Sequence, residues 1–180
     1  MLKGVILGVA FTLAVALIGT YALLRSGLIP ANADQKPSQL ETWMARTSLA
    51  ATLERYAPKG PNPVALTEQN LLNGVRLFAR NCAVCHGSAN GIASASPIAK
   101  GLYQHPPQFA TDGVEDDPEG VSFWKIKHGI RLTAMPSFRH SLSDVQIWTL
   151  ALFLKHMDKL PLDVEQRWQH VRNWPVTSEN

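Results

Sequence analysis

The chain's only two cysteines stand three residues apart, and a histidine follows at once: Cys82-Ala83-Val84-Cys85-His86. At the end of a helix, thiols at i and i+3 occupy neighbouring positions on one face. So placed, they can reach the two vinyl groups of one porphyrin and form thioethers, while His86 presents its imidazole to the iron beneath the same ring. C-x-x-C-H is the attachment pattern for c-type haem. Three other readings compete. A thioredoxin-like redox pair belongs at a helix start after a strand, and no strand is expected before Cys82. A structural zinc site needs four ligands, and there is no second cysteine pair to complete it. A structural disulfide would close a very short loop and leave His86 without a role. One covalently bound haem c is the expectation, and its attachment requires reduced thiols and maturation outside the cytoplasm.

The N-terminus agrees with export. Gly4 to Leu24 is a run of 21 residues without a charge. As a helix it would extend ~32 Å, about the thickness of a bilayer's hydrocarbon core. An apolar signal region usually has only ~7–15 residues, which favours a retained anchor. Against that, Ala31-Asn32-Ala33 is an A-x-A-like cleavage site just before Asp34. A retained transmembrane helix is the preferred expectation and a cleaved signal the alternative. Nucleic acid is not an expected partner: the formal charge is +3, no three basic residues are consecutive, and without residues 1–33 the chain has 15 basic against 14 acidic residues.

The remainder reads as helices joined by loops. Residues 34–66 form a linker with an amphipathic helix at 38–56, opened by the capping pattern Ser38-Gln39-Leu40-Glu41. Leu40, Trp43, Met44 and Thr47 would share one side of it, and Leu49, Leu53 and Tyr56 continue an imperfect apolar strip. That side either packs on the domain behind it or lies in a membrane interface. Three prolines between Pro58 and Pro63 then stop any helix. Thr67 is the N-cap of a helix running to Arg80, with Leu71, Val75, Phe78 and Cys82 as its seam. Residues 91–117 are mostly loop. A helix over 118–128 ends at Gly129. A last strong helix opens with the capping box Ser143-Asp144-Val145-Gln146, runs to about Met157 and is apolar nearly all round, the mark of a buried helix. Val164, Trp168 and Val171 suggest a short amphipathic tail within 161–180. No convincing strand occurs, so the class is all-α.

A single haem in such a fold needs a second axial ligand. The candidates are Met44, Met135 and Met157 and the histidines at 105, 128, 140, 156 and 170. Met44 precedes the haem motif, and Met157 lies at the end of the buried helix. Met135 stands between two helices in a loop that Pro136 stiffens and biases towards extended backbone. A lone methionine is commonly core filler, but this placement makes Met135 the expected ligand opposite His86.

Four stretches carry a family resemblance: Asn73-Gly74-Val75-Arg76-Leu77-Phe78, Cys82-Ala83-Val84-Cys85-His86-Gly87, Ile130-Arg131-Leu132-Thr133-Ala134-Met135-Pro136-Ser137-Phe138, and Ile147-Trp148-Thr149-Leu150-Ala151-Leu152-Phe153-Leu154. In them the chain resembles the class I monohaem cytochromes c, close to the cbb3-type oxidase subunit III pattern, over about Thr67 to Met157. The resemblance implies a helical domain at 67–160 wrapped around one covalent haem. It also implies that Gly74 and Phe78 mark a crossing of the first and last helices of that domain, with Trp148 or Leu152 opposite. A proline carbonyl, from Pro97, Pro106 or Pro107, should accept the ring N–H of His86.

His/Met ligation saturates the iron and raises its potential, so the expected function is one-electron transfer rather than catalysis. The expectation is a tethered carrier on the bacterial inner membrane, facing the periplasm and meeting redox-protein partners, or a soluble periplasmic one if the chain is cut near Ala33. The alternative is a fixed haem subunit of a larger oxidoreductase, such as a terminal oxidase or dehydrogenase. A ligand-binding sensor or catalytic haem is a third reading.

Overall fold

The computed structural model describes residues 2–89 and 96–171, so the ends of the expected loop and tail lie partly outside the described residues. The chain divides into two units, 1–35 and 36–180. In the first, α1 (Leu2–Arg25) is one helix of 24 residues with no buried residue. At ~1.5 Å per residue it is ~36 Å long, enough to cross a bilayer. Arg25 is its only charged residue in the last turn.

All described elements of the second unit are helical. The helices are α2 (Gln39–Tyr56), α3 (Glu68–Asn81), α4 (Ala83–His86), α5 (Pro97–Lys100), α6 (Phe109–Asp112), α7 (Glu119–His128), α8 (Asp144–His156) and α9 (Leu162–Gln169). The Thr67 hydroxyl caps α3 by accepting from the Asn70 N–H. At α8 the capping box is complete, with Ser143 and Gln146 each satisfying the other's backbone N–H. At α2 only half of it forms. Ser38 accepts from the Glu41 N–H, whereas the Glu41 carboxylate takes the Tyr103 hydroxyl at 2.8 Å.

The core is the crossing of α3 with α8. Leu71, Val75 and Phe78 of α3 are buried, and they meet Ile147, Leu150, Phe153 and Leu154 of α8. Burying a side chain of this size contributes ~1.5–3 kcal/mol. Gly74 lies on the same face. A Cβ there would run into the Phe153 Cβ and stand 3.0 Å from the Thr149 carbonyl oxygen, so only a residue without a side chain lets the two backbones come this close. The resemblance put Trp148 or Leu152 opposite Gly74; the structure puts Thr149 and Phe153 there. Trp148 faces α7 instead, stacked on Phe123 with ring centroids 4.2 Å apart.

The tail segment also joins the core. Val164 and Trp168 of α9 are buried, and the Trp168 ring meets Phe78 edge-on at 5.2 Å and Phe153 at 5.4 Å. The core therefore continues past residue 160.

By contrast α2 buries no residue at all, and Leu40, Trp43, Met44 and Tyr56 are exposed. It is held at its ends. Beyond its C-terminus Ala57 is buried, and Pro58 packs so closely on α7 that a Cβ at Gly120 would collide with its carbonyl oxygen. The Asn62 side chain then donates to Glu119 Oε1 at 2.9 Å and to the Trp148 carbonyl at 3.1 Å.

Candidate functional site

Helix α3 ends where the cysteine motif begins. The Cys82 N–H donates to the Phe78 carbonyl at 2.8 Å, closing α3. Its own carbonyl accepts from the N–H groups of both Cys85 (3.0 Å) and His86 (2.9 Å), which winds the single turn α4. Gly87, at φ +76°, ends that turn in a conformation that suits glycine. No disulfide joins the two cysteines. Burial, with a contribution from Cys85, pushes the Cys82 thiol up to about 12, and burial also raises Cys85. Cys82 caps the C-terminal end of α3, where the helix dipole disfavours negative charge. A dithiol redox centre needs the opposite, a thiol depressed towards thiolate.

His86 is fixed by its partners. Its Nδ1 lies 2.9 Å from the Pro107 carbonyl oxygen. A carbonyl can only accept, so Nδ1 carries the hydrogen and Nε2 keeps its lone pair. Burial lowers the imidazole's affinity for a second proton, and the bond to Pro107 opposes that shift. The neutral ring is therefore favoured, the form that ligates a metal. Of Pro97, Pro106 and Pro107, it is Pro107 that orients His86. The Phe109 ring stacks on the imidazole, centroids 4.2 Å apart and 11° from parallel.

Sequence reasoning missed Gln108. Its amide Nε2 donates to the Cys85 carbonyl and the Pro106 carbonyl, both at 2.9 Å. It thereby ties the cysteine turn to the loop that holds Pro107. A single glutamine after two prolines leaves no periodic signal by which to find it.

The Met135 loop hangs from the end of α7. Gly129 closes that helix with φ +68°, and a Cβ there would stand 2.7 Å from the Met135 carbonyl oxygen. The Ile130 N–H donates to that same oxygen at 3.1 Å. The Met135 N–H donates to Thr133 Oγ1, also at 3.1 Å. Beyond Pro136, the Ser137 hydroxyl and the Phe138 N–H return to the Lys127 and Ile126 carbonyls. The backbone on both sides of Met135 is thus tied to α7.

Cys82, Cys85, His86 and Met135 all line one mostly apolar cavity of about 520 Å³, within the ~300–1,000 Å³ usual for ligand and cofactor sites. Of the other ligand candidates only His105 lines it, and His105 belongs to the loop that already holds His86 through Pro107. Met157 is buried in the core, while Met44, His128, His140 and His170 are exposed. Among the described residues no group of three or more His, Cys, Asp or Glu side chains could hold a metal ion, so the zinc reading gains no support. A paired-cysteine turn, an imidazole with its lone pair free and an apolar chamber fit a porphyrin.

The comparisons with known proteins point the same way. Residues 69–154 match the family described as cytochrome c oxidase, cbb3-type, subunit III. A cytochrome c6 of Thermosynechococcus vestitus is 29% identical over 93 residues, covering 51% of this chain and 73% of the relative. A cytochrome c6 of Synechococcus elongatus is 28% identical over 86 residues, covering 47% and 87%. No solved structure matches the chain.

Proposed function

Because residues 69–154 form a monohaem c-type cytochrome domain, an electron-transfer unit with covalently bound haem c, we propose that this protein is a membrane-tethered one-electron carrier with His86 and Met135 as the axial ligands. Cys82 and Cys85 form the thioethers. Residues 1–33 are the anchor, 34–66 the connecting segment, 67–160 the haem domain and 161–180 the tail. Bound in the cavity, haem c supplies a one-electron iron couple. The chain's own residues set the conditions for it. Pro107 holds the His86 ring, Gln108 ties the cysteine turn to the Pro107 loop, and the close turn at Gly129 holds the loop that carries Met135. Two protein ligands leave no open coordination position, so small-molecule chemistry at the iron is not part of the function. The observation that supports this reading is the presence of Cys82, Cys85, His86 and Met135 around one cavity.

The tether rests on the length and apolar character of α1. The side rests on the chemistry: thioether formation outside the cytoplasm favours the periplasmic face of a bacterial inner membrane for the haem domain. A fixed subunit of an oxidoreductase complex is a second reading, favoured by the exposed Leu40, Trp43 and Met44 of α2. Purification in mild detergent separates the two: a fixed subunit leaves the membrane with its enzyme, a carrier leaves alone. The ligand assignment is tested by Met135→Ala. The variant should keep covalent haem, show a lower midpoint potential and bind carbon monoxide when reduced. An unchanged spectrum and potential would refute it.

A further inference from the structure

The cavity wall carries an ion pair. Lys125 Nζ, on α7, stands 2.6 Å from Asp117 Oδ2, and both residues line the chamber that holds His86 and Met135. Among the described lining residues Lys125 is the only lysine or arginine, set against the carboxylates of Asp112, Asp116 and Asp117. Asp112 is already engaged, accepting from the Gln108 N–H at 2.6 Å. The two side chains of the pair are about a third exposed, and a partly exposed pair of this kind adds only ~0–1 kcal/mol to stability. As a brace for the fold it accomplishes little; as a charge in the wall of an apolar chamber it acts on whatever electron that chamber holds.

We propose that Lys125 and Asp117 set the reduction potential of this protein as an opposed pair of charges, Lys125 favouring the reduced state and Asp117 the oxidised one. The argument is Coulombic. Reduction adds one electron to the iron and removes one positive charge from the site, so a nearby cation stabilises the product and a nearby anion the reactant. At the partly exposed edge of an apolar cavity the effective dielectric lies between that of water and that of a protein interior, so the interaction is stronger than in bulk water. Paired, the two nearly cancel; removing either exposes the other. A second pair on the same helix supplies the contrast. Lys127 meets Asp144 at 2.8 Å, but neither residue lines the cavity.

The proposal rests on the haem reading above, and the experiment keeps the two apart. Full-length protein matured with haem is titrated potentiometrically as the parent, Lys125→Gln, Asp117→Asn, the double variant and Lys127→Gln. At a fixed ambient potential Lys125→Gln should lower the reduced-to-oxidised ratio and Asp117→Asn should raise it, each by about threefold. The double variant should return close to the parent, and Lys127→Gln should move less than Lys125→Gln. Shifts of the same sign in the two single variants, as a loosened cavity would produce, overturn the proposal. So does an equal shift in Lys127→Gln. If Lys125→Gln fails to fold, the upward shift in Asp117→Asn decides the sign alone, and Lys125→Arg, which keeps the charge, should stay near the parent. A parent without covalent haem would instead sink the underlying reading.

Discussion

Helices α2 and α3 begin alike, each capped by a hydroxyl that accepts from an N–H three residues on. They end up in opposite surroundings. In α3, Leu71, Gly74, Val75 and Phe78 are buried, whereas α2 buries none of its 18 residues. The difference lies in the partner and not in the helix. Gly74 lets α8 approach to backbone contact, and Phe78 then has Phe153 and Trp168 to meet. No comparable gap exists along α2, which is held at its ends, by Glu41 on Tyr103 and by Pro58 on Gly120. The α3–α8 pair reaches the haem chamber through Asn81 and Leu154; α2 braces another part of its lining, since Tyr103 sits in the segment that leads to Pro107.

Four experiments would break or sharpen this contrast. The largest effect is expected at the point where α3 runs into the site. Replacing Cys82 and Cys85 together by alanine should abolish covalent haem, read as loss of haem stain on a denaturing gel. Next comes the crossing itself. Phe78→Ala should cost ~3–5 kcal/mol of stability, while Trp43→Ala on α2 should stay within ~0.5 kcal/mol; denaturant unfolding of the two variants compares them directly. A similar cost at both positions would mean that α2 is covered in solution. Gly129→Ala should retain haem yet release Met135, because the new Cβ meets the Met135 carbonyl and φ is positive. A lowered potential and carbon monoxide binding, without loss of haem, would register it.

The smallest effect is expected at the brace. The Tyr103 hydroxyl donates to Glu41, and that bond raises the phenol's affinity for its proton. A raised acid contributes below the unfolded phenol's pKa, about 10, and its contribution is lost as pH rises through the folded value. The Tyr103 ring, followed by NMR, should therefore titrate above a free phenol, and Glu41→Gln should bring it back down. The same titration with and without the Glu41 carboxylate would take the bond out of the account.

Much of this was legible in the sequence, and the reasons are physical. The cysteine motif is local, so its spacing alone stated its chemistry. Helices α3 and α8 carried periodic apolar residues and hydroxyl caps, and they run from Glu68 to Asn81 and from Asp144 to His156, close to the expected bounds. What could not be read was contact between distant segments. Thr149 and Phe153, rather than Trp148 or Leu152, face Gly74, a shift of one residue that depends on the rotation of α8. Pro107 could not be chosen over Pro97 and Pro106 without knowing which carbonyl the loop brings to His86. Gln108, Asn62 and the Lys125–Asp117 pair act through isolated side-chain bonds that no pattern announces. The tail was underrated for the same cause: Val164 and Trp168 are too few to signal a core, yet Trp168 closes on two phenylalanines of the crossing.

The central claim is that one covalently attached haem is held between His86 and Met135 with no open coordination position. The most direct test is the visible spectrum of the reduced protein, co-expressed with a c-haem maturation system, recorded before and after carbon monoxide. A low-spin c-type spectrum that carbon monoxide leaves unchanged is the predicted result. A spectrum that shifts with carbon monoxide, or a protein without covalent haem, would contradict the account.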